Sequence, residues 1–179
     1  MGPEVIYQRE LVVGNPHDGT LLTVLGHDEK AVKPLRYGVR VGALGLLVPQ
    51  GVLSEVAEHR PVFPIPYTAP WFEGVCNNRG DVVPVFNLHR LLEFDTDCHD
   101  RDNDLLLMIG QQEFAVALRI YDYPRPVRVV DSHPMPSGLP AGIADHISQT
   151  YAFGEEVWSD FKYRDFFMAL KARLAVHPL

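Results

Sequence analysis

Five aspartates crowd residues 95–104, and the 8 histidines and 2 cysteines are scattered through a chain of 179 residues; any reactive chemistry would have to be built from these side chains. Asp95, Asp97, Asp100, Asp102 and Asp104 could chelate calcium, but the run lacks the central Gly and closing Glu of an EF-hand loop and holds almost nothing apolar. It reads as a solvated linker. His17, His27, His59, His89, His99, His133, His146 and His177 show no HxxxH or HExxH spacing and no Cys–His pair at ligand spacing, so they read as surface residues and no metal centre is expected. Cys76 and His89 could in principle be nucleophile and base. A thiol in an apolar strand, however, has its ionisation disfavoured, and Cys76 reads as a small buried residue. Cys98, in the acidic run, reads as an exposed free thiol. None of Ser54, Ser132, Ser137, Ser148 and Ser159 lies in a Gly-x-Ser-x-Gly elbow. Gly38, Gly42 and Gly45 fall in a hairpin pattern rather than opening a helix, which removes the phosphate-cradle reading. No catalytic residue, cofactor or metal is expected.

Binding chemistry is what remains. Arg79 sits at the tip of a hairpin pattern and Glu55 on a nearby strand, so the two can pair and hold the guanidinium in one orientation. Residue types alone make this an ordinary surface pair worth ~0–1 kcal/mol. Leu53 and Val56 flank Glu55, and alternation along a strand turns one of them inward, leaving one as an apolar anchor beside the charges.

The elements that must position these residues are short and β-rich, since 15 Pro and 14 Gly argue for many turns rather than a helical bundle. Tyr37, Val39 and Val41 alternate with Gly38 and Arg40, Gly42 to Gly45 offers a turn, and Leu46 to Val48 returns. Val52 to Val56 alternates again, and Pro61, Pro64 and Pro66 force an extended passage to Pro70-Trp71-Phe72, where Trp71 or Phe72 plugs the end of a barrel. Gly74 to Leu88 then reads as a hairpin with Gly80 supplying positive φ in the turn, Val75 and Val83 facing inward, and Asn87 capping a helix ahead of Leu91 and Leu92. The second half repeats the first. Gly110, Phe114, Val116 and Ile120 mirror Gly42, Leu46, Val48 and Val52, while Trp158-Ser159-Asp160-Phe161 mirrors Val85-Phe86-Asn87-Leu88 at a slightly larger offset. On that pattern Asp160 caps a terminal helix with Phe166, Leu170 and Leu174 as its buried stripe, and Asp131 to Ala141 forms a long surface loop. In the first 34 residues Leu21 to Leu25 reads as a strand.

The net charge of -7 and the absence of a basic stripe argue against a nucleic-acid partner. Apolar runs such as Leu44 to Val48 and Leu105 to Ile109 are far short of the ~20 residues of a bilayer span, and Met1-Gly2-Pro3-Glu4 opens no signal peptide. A soluble cytoplasmic chain without direct membrane insertion is expected.

The run Asn77-Asn78-Arg79-Gly80, the strand Val83-Pro84-Val85 and the helix start Asn87-Leu88, with Leu53-Ser54-Glu55-Val56 and Pro64-Ile65-Pro66 upstream, resemble the CheW family of chemoreceptor–kinase adaptors. The family's usual wording is Asn-Leu-Arg-Gly, then apolar-Pro-apolar, then Asp-Leu; here Asn78 stands for the Leu and Asn87 for the Asp. The resemblance spans roughly residues 35–174, is strongest from Leu53 to Leu92, and leaves residues 1–34 as an extension without counterpart. It implies a mostly β fold of two SH3-like β-barrel subdomains with short helices, one at about 35–94 and one at about 105–174, with exchange of elements between them left open and a tail at 175–179. It also implies a non-enzymatic adaptor whose partner surface includes Leu53, Glu55, Val56, Asn77 and Arg79. The implied partners are the regulatory domain of a CheA-type histidine kinase and, in the groove between subdomains, the cytoplasmic tip of a methyl-accepting chemoreceptor, at membrane-associated arrays. Leu118-Arg119-Ile120 and the aromatic ending at Trp158 are similar to the PilI-like adaptors of type IV pilus twitching systems. A swimming-chemotaxis adaptor, a small-ligand sensor on the same fold and a purely structural array component are the alternatives.

Overall fold

The computed structural model describes residues 35–94, 104–129 and 131–175. The strand expected at Leu21 to Leu25, most of the acidic linker with Cys98, and residues 176–179 lie outside them. Twelve strands occur among the described residues: β1 Leu35–Val41, β2 Leu44–Leu47, β3 Ser54–Glu58, β4 Val62–Phe63, β5 Phe72–Asn78, β6 Asp81–Phe86, β7 Leu105–Ile109, β8 Val116–Ile120, β9 Arg125–Arg128, β10 Asp131–His133, β11 Ile147–Phe153 and β12 Glu156–Phe161. Three helices, α1 Leu88–Leu91, α2 Ala141–Ala144 and α3 Tyr163–Ala175, accompany them. The chain is mostly β, as composition and turn spacing anticipate.

The strands form two six-stranded sheets in the orders β3-β7-β8-β6-β5-β4 (the first sheet) and β9-β1-β2-β12-β11-β10 (the second). Each expected barrel is thus one sheet, but neither keeps to one half of the chain. The β1–β2 hairpin joins the second sheet through a parallel contact, Trp158 opposite Gly45, and the β7–β8 hairpin joins the first through another, Val85 opposite Ala117. The two halves exchange hairpins, and the same strand order results twice.

These parallel contacts also correct the internal alignment. Val85 and Trp158 do occupy matching places, but Leu46, which lies opposite Ser159, matches Leu118, opposite Phe86, rather than Phe114. The β1–β2 turn is only Gly42-Ala43, whereas β7 and β8 are joined by a longer connection with a 3-10 turn at Gln112–Phe114. A constant offset cannot survive that insertion.

Core packing explains the continuous apolar strands. β7 is buried at all five positions. Leu105, Leu107 and Ile109 enter a large shared cluster with residues of both sheets and of α3, while Leu106 and Met108 face a smaller cluster holding Cys76, Val83 and Ala117. A strand covered on both faces has no solvent side to alternate with. Val75 and Val83 also divide this way: Cys76, not Val75, stands opposite Val83, and Val75 packs on the large cluster. Phe166, Leu170 and Leu174 of α3 enter the large cluster with Phe167, and Phe72 is buried there while Trp71 packs against it and stacks on Phe86.

Three expectations fail. Asp160 caps nothing, because β12 runs through Phe161 and α3 begins at Tyr163; its carboxylate instead accepts two hydrogen bonds from the buried Arg36, at 2.7 and 2.9 Å. Asp131 to His133 is strand rather than loop, paired with β11. His89 is 3% exposed, packed edge-on against Tyr121 on the turn of α1.

Candidate protein-binding site

The β5–β6 hairpin closes on the pair Asn78–Asp81, leaving Arg79 and Gly80 as a two-residue turn with φ of +56° and +98°. Two successive positive φ values are the I′ geometry that suits the twist of a hairpin. Sequence reasoning put Arg79 at the tip but gave positive φ to Gly80 alone. Arg79 holds a left-handed conformation that costs a non-glycine residue roughly 1–2 kcal/mol, and the turn is steadied by Gly80 N–H donating to Asn77 Oδ1 at 3.1 Å.

Holding Arg79 at the apex sends its guanidinium toward β3. Its Nη2 lies 2.6 Å from Glu55 Oε2, with the arginine side chain 72% exposed and the glutamate 31%. Asn78 Nδ2 donates to the other carboxylate oxygen, Oε1, at 3.3 Å. Glu55 is therefore clamped from both sides, and the positive end of the pair faces solvent. Such a pair adds little to stability, since water and salt screen it.

Leu53 precedes β3, is 54% exposed, and is pinned where its carbonyl accepts from Gly110 N–H at 2.9 Å. Val56 packs on the large core cluster, so alternation leaves Leu53 as the exposed member of the two. Leu53, Glu55, Asn78, Arg79, Asp81 and Gln112 contribute to a pocket of about 180 Å³ beside the hairpin tip. Also beside β3, and sharing Glu55 with that pocket, a mainly apolar trough of about 300 Å³ is lined by Tyr37, Val48, Val56, Leu107, Tyr123 and Pro124, with residues from both sheets. Sequence reasoning missed Tyr37 and Tyr123, each 54% exposed, and Val82, 72% exposed beside the hairpin turn. Alternation does not say which face of a strand is wet, which hid Tyr37, and Tyr123 lies in the connection between β8 and β9, where alternation says nothing.

No reactive constellation accompanies this surface. Burial pushes the Cys76 thiol up from its ordinary value, which suits a core residue and not a nucleophile. Among the described residues no group of three or more His, Cys, Asp or Glu could hold a metal ion, and no helix is long and apolar enough to cross a membrane.

The surface thus combines a doubled β architecture with a charge pair held in one geometry, an exposed leucine and an apolar trough. The chain belongs to the CheW-like domain family, whose model matches residues 37–159. Its fold is similar to that of the scaffolding protein TtCheW from Thermoanaerobacter tengcongensis, with a TM-score of 0.55 at 15% identity over 72% of this chain and 88% of that one. No curated protein matches the chain in sequence.

Proposed function

We propose that the protein is a non-enzymatic, cytoplasmic adaptor that ties a CheA-type histidine kinase, through its regulatory domain, to the cytoplasmic tip of a methyl-accepting chemoreceptor. The observation that carries the reading is Arg79, held in a rare backbone conformation at a hairpin tip, clamped to Glu55 and standing beside the exposed Leu53. Membership of the CheW-like family supports the choice of partners. The kinase contact uses Leu53, Glu55, Asn77 and Arg79, and the receptor tip, a helical hairpin, occupies the apolar trough that the half-buried Val56 lines. An apolar lining favours an amphipathic helix over a polar metabolite. Signal passes by geometry: contacts that differ between the kinase's states let a small receptor movement shift their populations.

Within that reading the system served is type IV pilus twitching motility, supported by Leu118-Arg119-Ile120 and the aromatic Trp158 in the second half; swimming chemotaxis is the alternative. The deciding experiment is capture of the cognate kinase regulatory domain by an Arg79→Glu variant. Reversing the charge beside Glu55 places two carboxylates together on an exposed surface, so the fold survives while capture falls at least tenfold. Undiminished capture by a variant with native circular dichroism overturns the proposal.

A further inference from the structure

The pocket beside the hairpin tip has a neighbour. A second recess, of about 220 Å³, shares Leu53 and Gln112 with it and is further lined by Gly51, Phe114, Tyr163 and Arg164. Leu53 thus belongs to both recesses, but their charges differ. The first holds Glu55 and Asp81, with Arg79 already bound to Glu55, whereas the second is lined by one cation, Arg164, and no carboxylate, on a chain of net charge -7.

Arg164 is oriented but unpaired. Its Cζ lies 4.9 Å from the ring centroid of Phe114, and its Nε donates to the Tyr163 hydroxyl at 3.0 Å. Stacking and that one bond hold the plane of the guanidinium, while the residue stays exposed and its Nη groups form no hydrogen bond or ion pair among the described residues. Its charge also suits its place poorly. Arg164 is the second residue of α3, and the open N–H groups of a helix's first turn favour an acid, such as the next residue, Asp165. A cation kept against a local preference, and given no partner inside the chain, points to a partner outside it.

The size and chemistry of the recess select that partner. Its volume lies below the roughly 300–1,000 Å³ of small-molecule sites, so it takes a side chain rather than a metabolite. A planar guanidinium with both Nη groups unused matches a carboxylate.

We infer that Arg164 is a further contact residue of the partner surface: the kinase regulatory domain seats an aspartate or glutamate on its guanidinium while covering Leu53. This rests on the adaptor reading above and adds a second charged contact, which with Arg79 stops the partner from turning about the leucine.

The test measures the dissociation constant for the cognate kinase regulatory domain with wild type, Arg164→Met, Arg164→Glu and Arg79→Glu, each checked for native circular dichroism and melting temperature. Methionine keeps an unbranched stem over Phe114 and removes the charge. Glutamate reverses it, and both residues suit the first turn of a helix at least as well as arginine. The expected result is weakening of about threefold or more with methionine and about tenfold or more with glutamate, with melting temperatures no lower than that of wild type. Weakening by glutamate alone overturns the inference, because the natural guanidinium then makes no contact. Equal weakening by both overturns it as well, since no carboxylate then faces the site, and so does weakening with a lowered melting temperature, Arg164 then acting through the fold. Loss with Arg79→Glu and none with either Arg164 variant overturns it and leaves the adaptor reading standing. Unchanged affinity with Arg79→Glu defeats the adaptor reading, and the inference falls with it.

Discussion

In the first sheet Arg79 reaches from the β5–β6 turn to Glu55 on β3; in the second, Arg125 on β9 reaches Glu156 at the start of β12. The sheets share one strand order, in which β3 and β9 hold the same edge, so the two pairs join corresponding elements with their charges reversed. Their settings differ. The Arg125 guanidinium lies 4.9 Å from the ring centroid of the buried Trp158, so this half-exposed pair covers a core side chain. The glycines Gly38 and Gly45 make room for that indole, whose ring lies where their Cβ atoms would stand. Arg79 instead sits at a turn and is 72% exposed. Duplication supplied two similar pairs. Both are exposed to solvent, but one leans on a core indole while the other stands at a hairpin tip.

Deeper charges show the same divergence. The buried Arg36 and the part-exposed Asp160 form a two-bonded pair in the second sheet, and the Tyr151 hydroxyl also donates to that carboxylate, at 3.1 Å. In the first sheet Arg119 is held between Glu73 and Asp104, and Asn87, at the place matching Asp160, donates to Glu73 and Tyr121 as well as capping α1. A neutral amide can serve as both donor and cap acceptor, whereas the carboxylate of Asp160 accepts only and so calls for a cation. These contacts set the order of expected effects.

The largest belongs to Arg36→Ala, which strands Asp160 and should lower unfolding free energy by about 3 kcal/mol in urea titration; a loss under ~0.5 kcal/mol would mean that burial does not separate these pairs. Next comes Arg125→Met, expected to cost up to ~1 kcal/mol through the uncovered Trp158 ring. Arg79→Met should leave the unfolding midpoint where it was, and an equal loss from both methionine variants would erase the contrast.

The smallest effect is one of pH. The hydrogen bond from Arg125 holds the Glu156 carboxyl below its ordinary range. A carboxyl depressed in the folded state adds stability that is present above its unfolded pKa and is lost as pH falls through the folded one. The melting temperature of wild type should therefore decline slightly more than that of Arg125→Met as the solution is taken below the usual carboxylate range. Parallel acid profiles would show that the pair is too screened to matter.

Much of the site was legible because it is local. Asn87 caps a helix through a bond to Arg90 N–H three residues on, the Arg79-Gly80 turn lies within one hairpin, and alternation turns one of Leu53 and Val56 inward, packing deciding that it is Val56. Asp160 misled for the same reason. A cap is judged from the next few residues, but its actual partner, Arg36, lies 124 positions away. His89 shows its burial only in three dimensions, because Tyr121, far along the chain, packs edge-on against it. Asn78 was legible as a departure from the family's wording, and its bond to Glu55 was not.

Turn chemistry, caps, apolar runs and the doubled pattern were determined by the amino-acid order itself, since each depends on groups a few bonds apart along the chain. The exchange of hairpins between halves and the surroundings of each charge pair were decided only in three dimensions. They depend on which strands become neighbours and what covers them, and burial is a property of the packed whole.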